Sequence, residues 1–145
     1  MIEGVILTPL KIIPGESGDV LHAIKRTESS FCGFGEAYFS TVEKGAVKAW
    51  KRHHEMTLNL VVPCGEILFV LYDERQGFPT YGEIFEVNLS RSNYMRLTVP
   101  PMVWTGFKGL GDGFNVLLNI ANILHDPQES DRLDAYKNHI NYNWD

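Results

Sequence analysis

Short β-rich runs separated by turn residues at roughly 8–12 residue spacing constrain this chain more than any other feature. The runs are Val20–Lys25, Glu36–Thr41, Ala46–His53, Leu58–Val62, Glu66–Tyr72, Glu83–Leu89, Met95–Val99 and Phe114–Ala121. Between them lie "EKG", "PCG", "DERQGFPTYG", "SRSN", "PPM" and "GLGDG", rich in residues that favour turns. "ILFVLY", Ile67 to Tyr72, is apolar on both alternating faces, so this strand is expected to be covered on both sides. "ESDRLDAYKN", following Asp126-Pro127, predicts one short C-terminal helix. With 145 residues and no repeat, low-complexity segment or linker, the chain has room for one core. The expectation is a single all-β domain, residues 1–145, closed as a barrel.

Charge narrows the partners. A formal net charge of −5 argues against broad nucleic-acid binding, which depends on Lys and Arg neutralising phosphates. A local basic patch on an acidic chain points to a small anionic ligand. The N-terminal stretch "MIEGVILTPLKIIPGESGD" has Glu3, Lys11 and two prolines among its apolar residues, unlike a signal peptide. No apolar run approaches the ~20 residues that cross a bilayer, so a cytoplasmic protein without a membrane partner is expected. Cys32 and Cys64 are too few for a disulfide framework and lack metal-ligand spacing, so both read as free thiols.

The basic patch sits on the run Ala46–His53. Lys48, Lys51, Arg52 and His53, followed by His54, crowd a strand about to enter the core. Strict alternation puts Val47, Ala49, Lys51 and His53 on one face, and Ala46, Lys48, Trp50 and Arg52 on the other. Neither face is cleanly apolar, although a half-buried strand should have one that is. Two readings follow: polar lining of a barrel cavity, or an edge strand protected by solvated charges.

"GEAYFSTVEKGAVKAWKRH", "CGEILFVLYDER", "GFPTYGEIFEVNLS", "RLTVPPMVWTGF" and "INYNW" occur in order along the chain. In sequence and spacing they resemble the dTDP-4-dehydrorhamnose 3,5-epimerase family, from Val5 to Trp144. The basic strand is also similar to its counterpart in sugar-nucleotide 3,4-ketoisomerases. The resemblance implies a cupin-type jelly roll, usually a homodimer, acting on a nucleotide-diphosphate 4-keto-6-deoxy sugar. It also implies departures. Where the epimerases read Arg-Gly-Leu-His, this chain reads Lys48-Ala49-Trp50-Lys51, so a lysine replaces the catalytic base. His53 falls where the ketoisomerases have a second active-site histidine. The epimerase tyrosine maps near Leu124-His125, and its aspartate lies beyond the last segment matched, so the usual histidine–aspartate pair is expected to be missing.

Proton transfer beside a ketone needs a base, a stabiliser for the enolate oxygen and a returning proton. Lys51 as base would need its pKa to fall from ~10.4 to about 7, about 4 kcal/mol of destabilised ammonium. Histidine needs almost no tuning. His53 is therefore the expected base, and Lys51 the cation that stabilises an enolate or holds an anion. Tyr38 and His125 are candidate acids. By the resemblance Lys48 and Glu36 are candidate contacts to the sugar nucleotide, and the basic Arg26 and Arg52 are further candidates; Lys48 keeps the charge of an arginine but not its two-pronged geometry. The rival readings are a non-catalytic sugar-nucleotide binder, since the usual histidine, tyrosine and aspartate are not in place, and a metal-dependent cupin. The adjacent His53 and His54 point apart on a strand, and Thr105 occupies a position where metal cupins place a histidine, so no metal or other cofactor is expected.

Overall fold

A computed structural model describes all residues, Met1–Asp145. Twelve strands form: β1 Ile6–Pro9, β2 Ile12–Ile13, β3 Val20–Leu21, β4 Glu36–Val42, β5 Val47–His53, β6 Leu58–Cys64, β7 Glu66–Asp73, β8 Ile84–Ser90, β9 Met95–Val99, β10 Val103–Gly109, β11 Asn115–Ala121 and β12 Ser130–Arg132. Two antiparallel five-stranded sheets, ordered β1-β9-β6-β11-β4 and β12-β5-β10-β7-β8, pack face to face; β2 and β3 make a separate hairpin. This is the cupin-type jelly roll that the resemblance implied.

The core lies between the sheets. Ile67, Phe69 and Leu71 of β7 meet Leu58, Leu60 and Val62 of β6, with Leu89, Leu97, Val99 and Leu117 filling in around them. Phe69, Leu71 and Leu89 have no exposed area, so each contributes about 1.5–3 kcal/mol relative to a solvated side chain. β7 is covered on both sides, as its unbroken apolar run predicts. Its Val70 packs outward into a second buried cluster with Trp50, Trp104, Ile140 and Trp144.

The C-terminal segment forms that second layer. The expected helix over "ESDRLDAYKN" is absent: Pro127–Glu129 makes one 3₁₀ turn, and Ser130–Arg132 becomes the edge strand β12. Asp126 caps the turn by accepting a hydrogen bond from the Gln128 N–H, and Ser130 is already extended. The chain then crosses the outer face of the second sheet. Leu133 and Trp50 exchange both backbone hydrogen bonds, at 3.0 and 3.1 Å. Trp144 settles 5.2 Å from the Trp50 ring. Gly106 makes that approach possible, because a Cβ there would lie 2.6 Å from the Ala49 Cβ and 2.8 Å from the Trp144 ring.

The strand forecast needs three further corrections. The expected strand Val20–Lys25 shortens to Val20–Leu21. From Ala23 to Ser30 the chain is instead fastened by fully buried Arg96, which donates to the Ala23 carbonyl, the Ser30 hydroxyl and the Glu28 carboxylate. β1, β2 and β10 were not foreseen, and β10 is a central strand. The strict alternation on β5 also fails. Thr105 of β10 lies opposite Lys51, whereas Phe107, two residues on, lies opposite Lys48 three residues back. This extra residue is a β-bulge at Ala49-Trp50, and it re-aims the side chains on either side. Trp50 packs outward, and Lys48 and Lys51 come onto the same, inward face.

Candidate active site

At one end of the barrel the core gives way to a cavity of about 430 Å³. Its floor is apolar apart from Asn119, with Leu58, Leu60, Leu117 and Phe107; its wall carries Tyr38, Lys48, Lys51, His53 and Arg132. β5 is not an edge strand, since β10 and β12 flank it. The cavity-lining reading therefore replaces the edge-strand reading. Lys51 and His53 share the inward face, opposite Arg132 and Ser130 of β12. Tyr38 enters from β4 of the other sheet, on the same face as buried Val42.

A histidine–carboxylate pair that the sequence reading did not foresee stands on the strand beside Lys51. His53 Nδ1 lies 2.5 Å from Glu129 Oε1. The other carboxylate oxygen accepts the backbone N–H groups of Glu55 and Met56, at 2.7 and 2.9 Å. Burial pushes the Glu129 carboxyl up, but hydrogen bonds from Glu55, His53 and Met56 outweigh it and hold its pKa down at about 2. An ionised carboxylate only accepts, so Nδ1 of His53 carries the proton and Nε2 keeps its lone pair. Burial pushes the His53 pKa below its usual value, with Lys51 adding to the effect and Glu129 opposing it. The neutral imidazole, with Nε2 free of protein partners, is the form of a general base. Glu129 was missed because it sits 76 residues away in sequence. No local pattern links "DPQE" to β5; only the pairing of β12 with β5 does.

Three cations line the mouth. Lys51 is pushed below the ordinary lysine range by burial and then by Arg132, with Glu129 and Glu36 opposing. Lys48 donates from Nζ to the Thr41 carbonyl at 2.7 Å. Arg132 has no carboxylate within salt-bridge reach and was hidden in sequence inside the expected helix. Tyr38 accepts a hydrogen bond from Asn119 Nδ2 at 3.0 Å. Burial, and secondarily Glu36, push the Tyr38 phenol up, so it stays protonated. Glu36 shares the inward face of β4 at the cavity's edge, where its charge reaches both Tyr38 and Lys51.

Three expected site residues lie elsewhere. Arg52 points to the opposite face, bonded to Asp131 at 2.7 Å and Glu74 at 3.3 Å and stacked 4.6 Å over Trp104. Arg26 is exposed on a turn of the segment that Arg96 fastens. His125 is exposed and does not line the cavity, though its charge is felt at His53. No three His, Cys, Asp or Glu side chains converge as a set of metal ligands. No helix is long and apolar enough to cross a membrane.

Known proteins share this arrangement of strands. A crystal structure of a dTDP sugar isomerase from Desulfovibrio desulfuricans G20 superposes with a TM-score of 0.96 at 43% identity, covering 99% of this chain and 92% of that one. The probable low-salt glycan biosynthesis epimerase Agl13 of Haloferax volcanii is 34% identical over 96 residues, 66% of this chain and 62% of that protein. A Legionella pneumophila dTDP-6-deoxy-D-glucose-3,5-epimerase, crystallised with dTDP-4-keto-L-rhamnose, shares the fold with a TM-score of 0.86 at 20% identity, covering 99% of this chain and 80% of that one. The family model described as dTDP-4-dehydrorhamnose 3,5-epimerase matches residues 2–145, and the chain belongs to that family.

Proposed function

We propose that this protein is an isomerase or epimerase of a nucleotide-diphosphate-linked 4-keto-6-deoxy sugar, and that His53 is its base. The observation that carries the reading is the His53–Glu129 pair, 2.5 Å apart, beside Lys51 in a cavity lined by Lys48 and Arg132. His53 Nε2 takes the proton from the carbon next to the ketone, and the bonding electrons move to the carbonyl oxygen as an enolate. Lys51 stabilises that oxygen, and an ammonium with a lowered pKa shares its proton more readily with a developing anion. Inverting a carbon requires the returning proton to arrive from the other face. Tyr38 lines the same cavity from the other sheet and remains a phenol, which suits it to the role of acid.

The remaining groups suit the ligand's ends. Lys48 and Arg132 line the cavity without a carboxylate partner, which suits them to a diphosphate. The leucine floor suits a 6-methyl group. The similarity to a dTDP sugar isomerase supports dTDP as the nucleotide. The test is to incubate the protein with dTDP- and CDP-4-keto-6-deoxyglucose in D₂O and follow the C3 and C5 protons by NMR. Deuterium enters at one or both carbons in the wild type and not in His53→Asn. No uptake from either nucleotide sugar by the wild type refutes catalysis of this kind.

A further inference from the structure

The cavity floor contains one polar atom with nothing to bind. Asn119 is only 7% exposed, and it projects from β11 among Leu58, Leu60, Leu117 and Phe107. Its Nδ2 donates to the Tyr38 hydroxyl, while its Oδ1 is buried without any hydrogen-bond partner. Such an orphaned acceptor in an apolar setting is unfavourable unless a ligand meets it. Satisfying Nδ2 through Tyr38 fixes the amide's orientation and leaves Oδ1, itself buried, as the unpartnered atom of a side chain that lines the cavity. By donating to the phenol oxygen, Asn119 also leaves the Tyr38 proton free to point into the cavity.

We infer that Asn119 is a specificity-determining residue whose Oδ1 accepts a hydrogen bond from a hydroxyl of the sugar ring; this rests on the nucleotide-sugar reading above. An amide carbonyl repels a ketone oxygen, so the group it meets is a donor. The ketone is thereby directed away from the floor and toward Lys51 and the Tyr38 hydroxyl. One polar atom on an otherwise aliphatic floor thus sets which way round the ring lies, and so which carbon comes within reach of His53. A site built around a donor rejects the analogue that lacks it far more strongly than an apolar pocket rejects an added methylene.

The experiment measures binding by calorimetry of dTDP, dTDP-6-deoxyglucose and the 2-, 3- and 4-deoxygenated versions of that sugar nucleotide. The proteins are wild type, Asn119→Leu, which matches the floor, and Tyr38→Phe, which keeps the ring. The wild type is expected to bind one deoxygenated ligand about 10- to 100-fold more weakly than its parent, from one lost buried hydrogen bond. Asn119→Leu should bind dTDP within about twofold of wild type, showing that it is folded, and should no longer distinguish that deoxygenated ligand. Tyr38→Phe, which removes the acceptor that orients the amide, should bind dTDP normally and show a weakened discrimination. Equal discrimination by wild type and Asn119→Leu overturns the inference while leaving the nucleotide reading intact. Failure of the wild type to bind dTDP at all overturns both.

Discussion

Replacing Glu129 by glutamine should reverse the proton arrangement of His53 while leaving the turn that holds it in place. The glutamine carbonyl can still accept the Glu55 and Met56 N–H groups, now 2.7 and 2.9 Å from one carboxylate oxygen. Its NH₂ then faces Nδ1, where an acceptor stood. Nδ1 must become the lone-pair nitrogen, and Nε2, the one free of protein partners, takes the hydrogen. The Glu129 carboxyl is lowered from 4.5 to about 2, which at ~1.36 kcal/mol per pKa unit is about 3 kcal/mol in favour of the anion. The glutamine carbonyl keeps both backbone hydrogen bonds, so only part of this, about 1–2 kcal/mol of stability, should be lost at pH 7. For a chain of this size that is a fall in melting temperature of about 3–6 °C. The sign with pH follows from linkage. A depressed carboxyl pKa contributes stability fully above the unfolded value of 4.5 and loses it as pH falls toward 2. His53, depressed by burial, acts in the same direction below 6.5. Glu129→Gln should therefore flatten the acid limb of a plot of melting temperature against pH. Imidazole ¹⁵N NMR reads the tautomer directly: hydrogen on Nδ1 in the wild type and on Nε2 in Glu129→Gln. Deuterium exchange into the sugar should fall on the order of 10²–10⁴-fold. The same tautomer in both proteins, or unchanged exchange, would refute the assignment of His53 as a base oriented by Glu129.

Lys51→Met should weaken dTDP binding about 5- to 10-fold and make the remaining affinity less sensitive to salt, as measured by calorimetry between low and high ionic strength. It should also slow deuterium exchange more than binding alone explains. Arg132→Ala should show the binding loss with a smaller effect on exchange, because Arg132 is assigned to the diphosphate. Gly106→Ala forces a methyl against the Ala49 Cβ and the Trp144 ring. It should destabilise the protein by about 1–3 kcal/mol, and tryptophan fluorescence should report a displaced C-terminal segment. An unchanged melt would show that the segment does not pack there.

The sequence by itself settled the class of fold, because strand length, turn chemistry and burial on both sides of β7 are written in local patterns. It also pointed to His53, Lys51 and Lys48 through their density on one strand, and to Tyr38 through the family resemblance. It could not say which of them share a face. A single inserted residue at Ala49-Trp50 inverts the alternation upstream of it, and the register with β10 shows that bulge, whereas no residue pattern announces it. Nor could it join His53 to Glu129 or bring Arg132 beside Lys51, since those contacts exist only because residues that looked helical become a strand paired with β5. The pull of that pairing, together with the tryptophan layer behind it, is a long-range packing effect that outweighs the weak helical preference of ten residues. Local chemistry named the parts, and the arrangement of the sheets decided which of them meet.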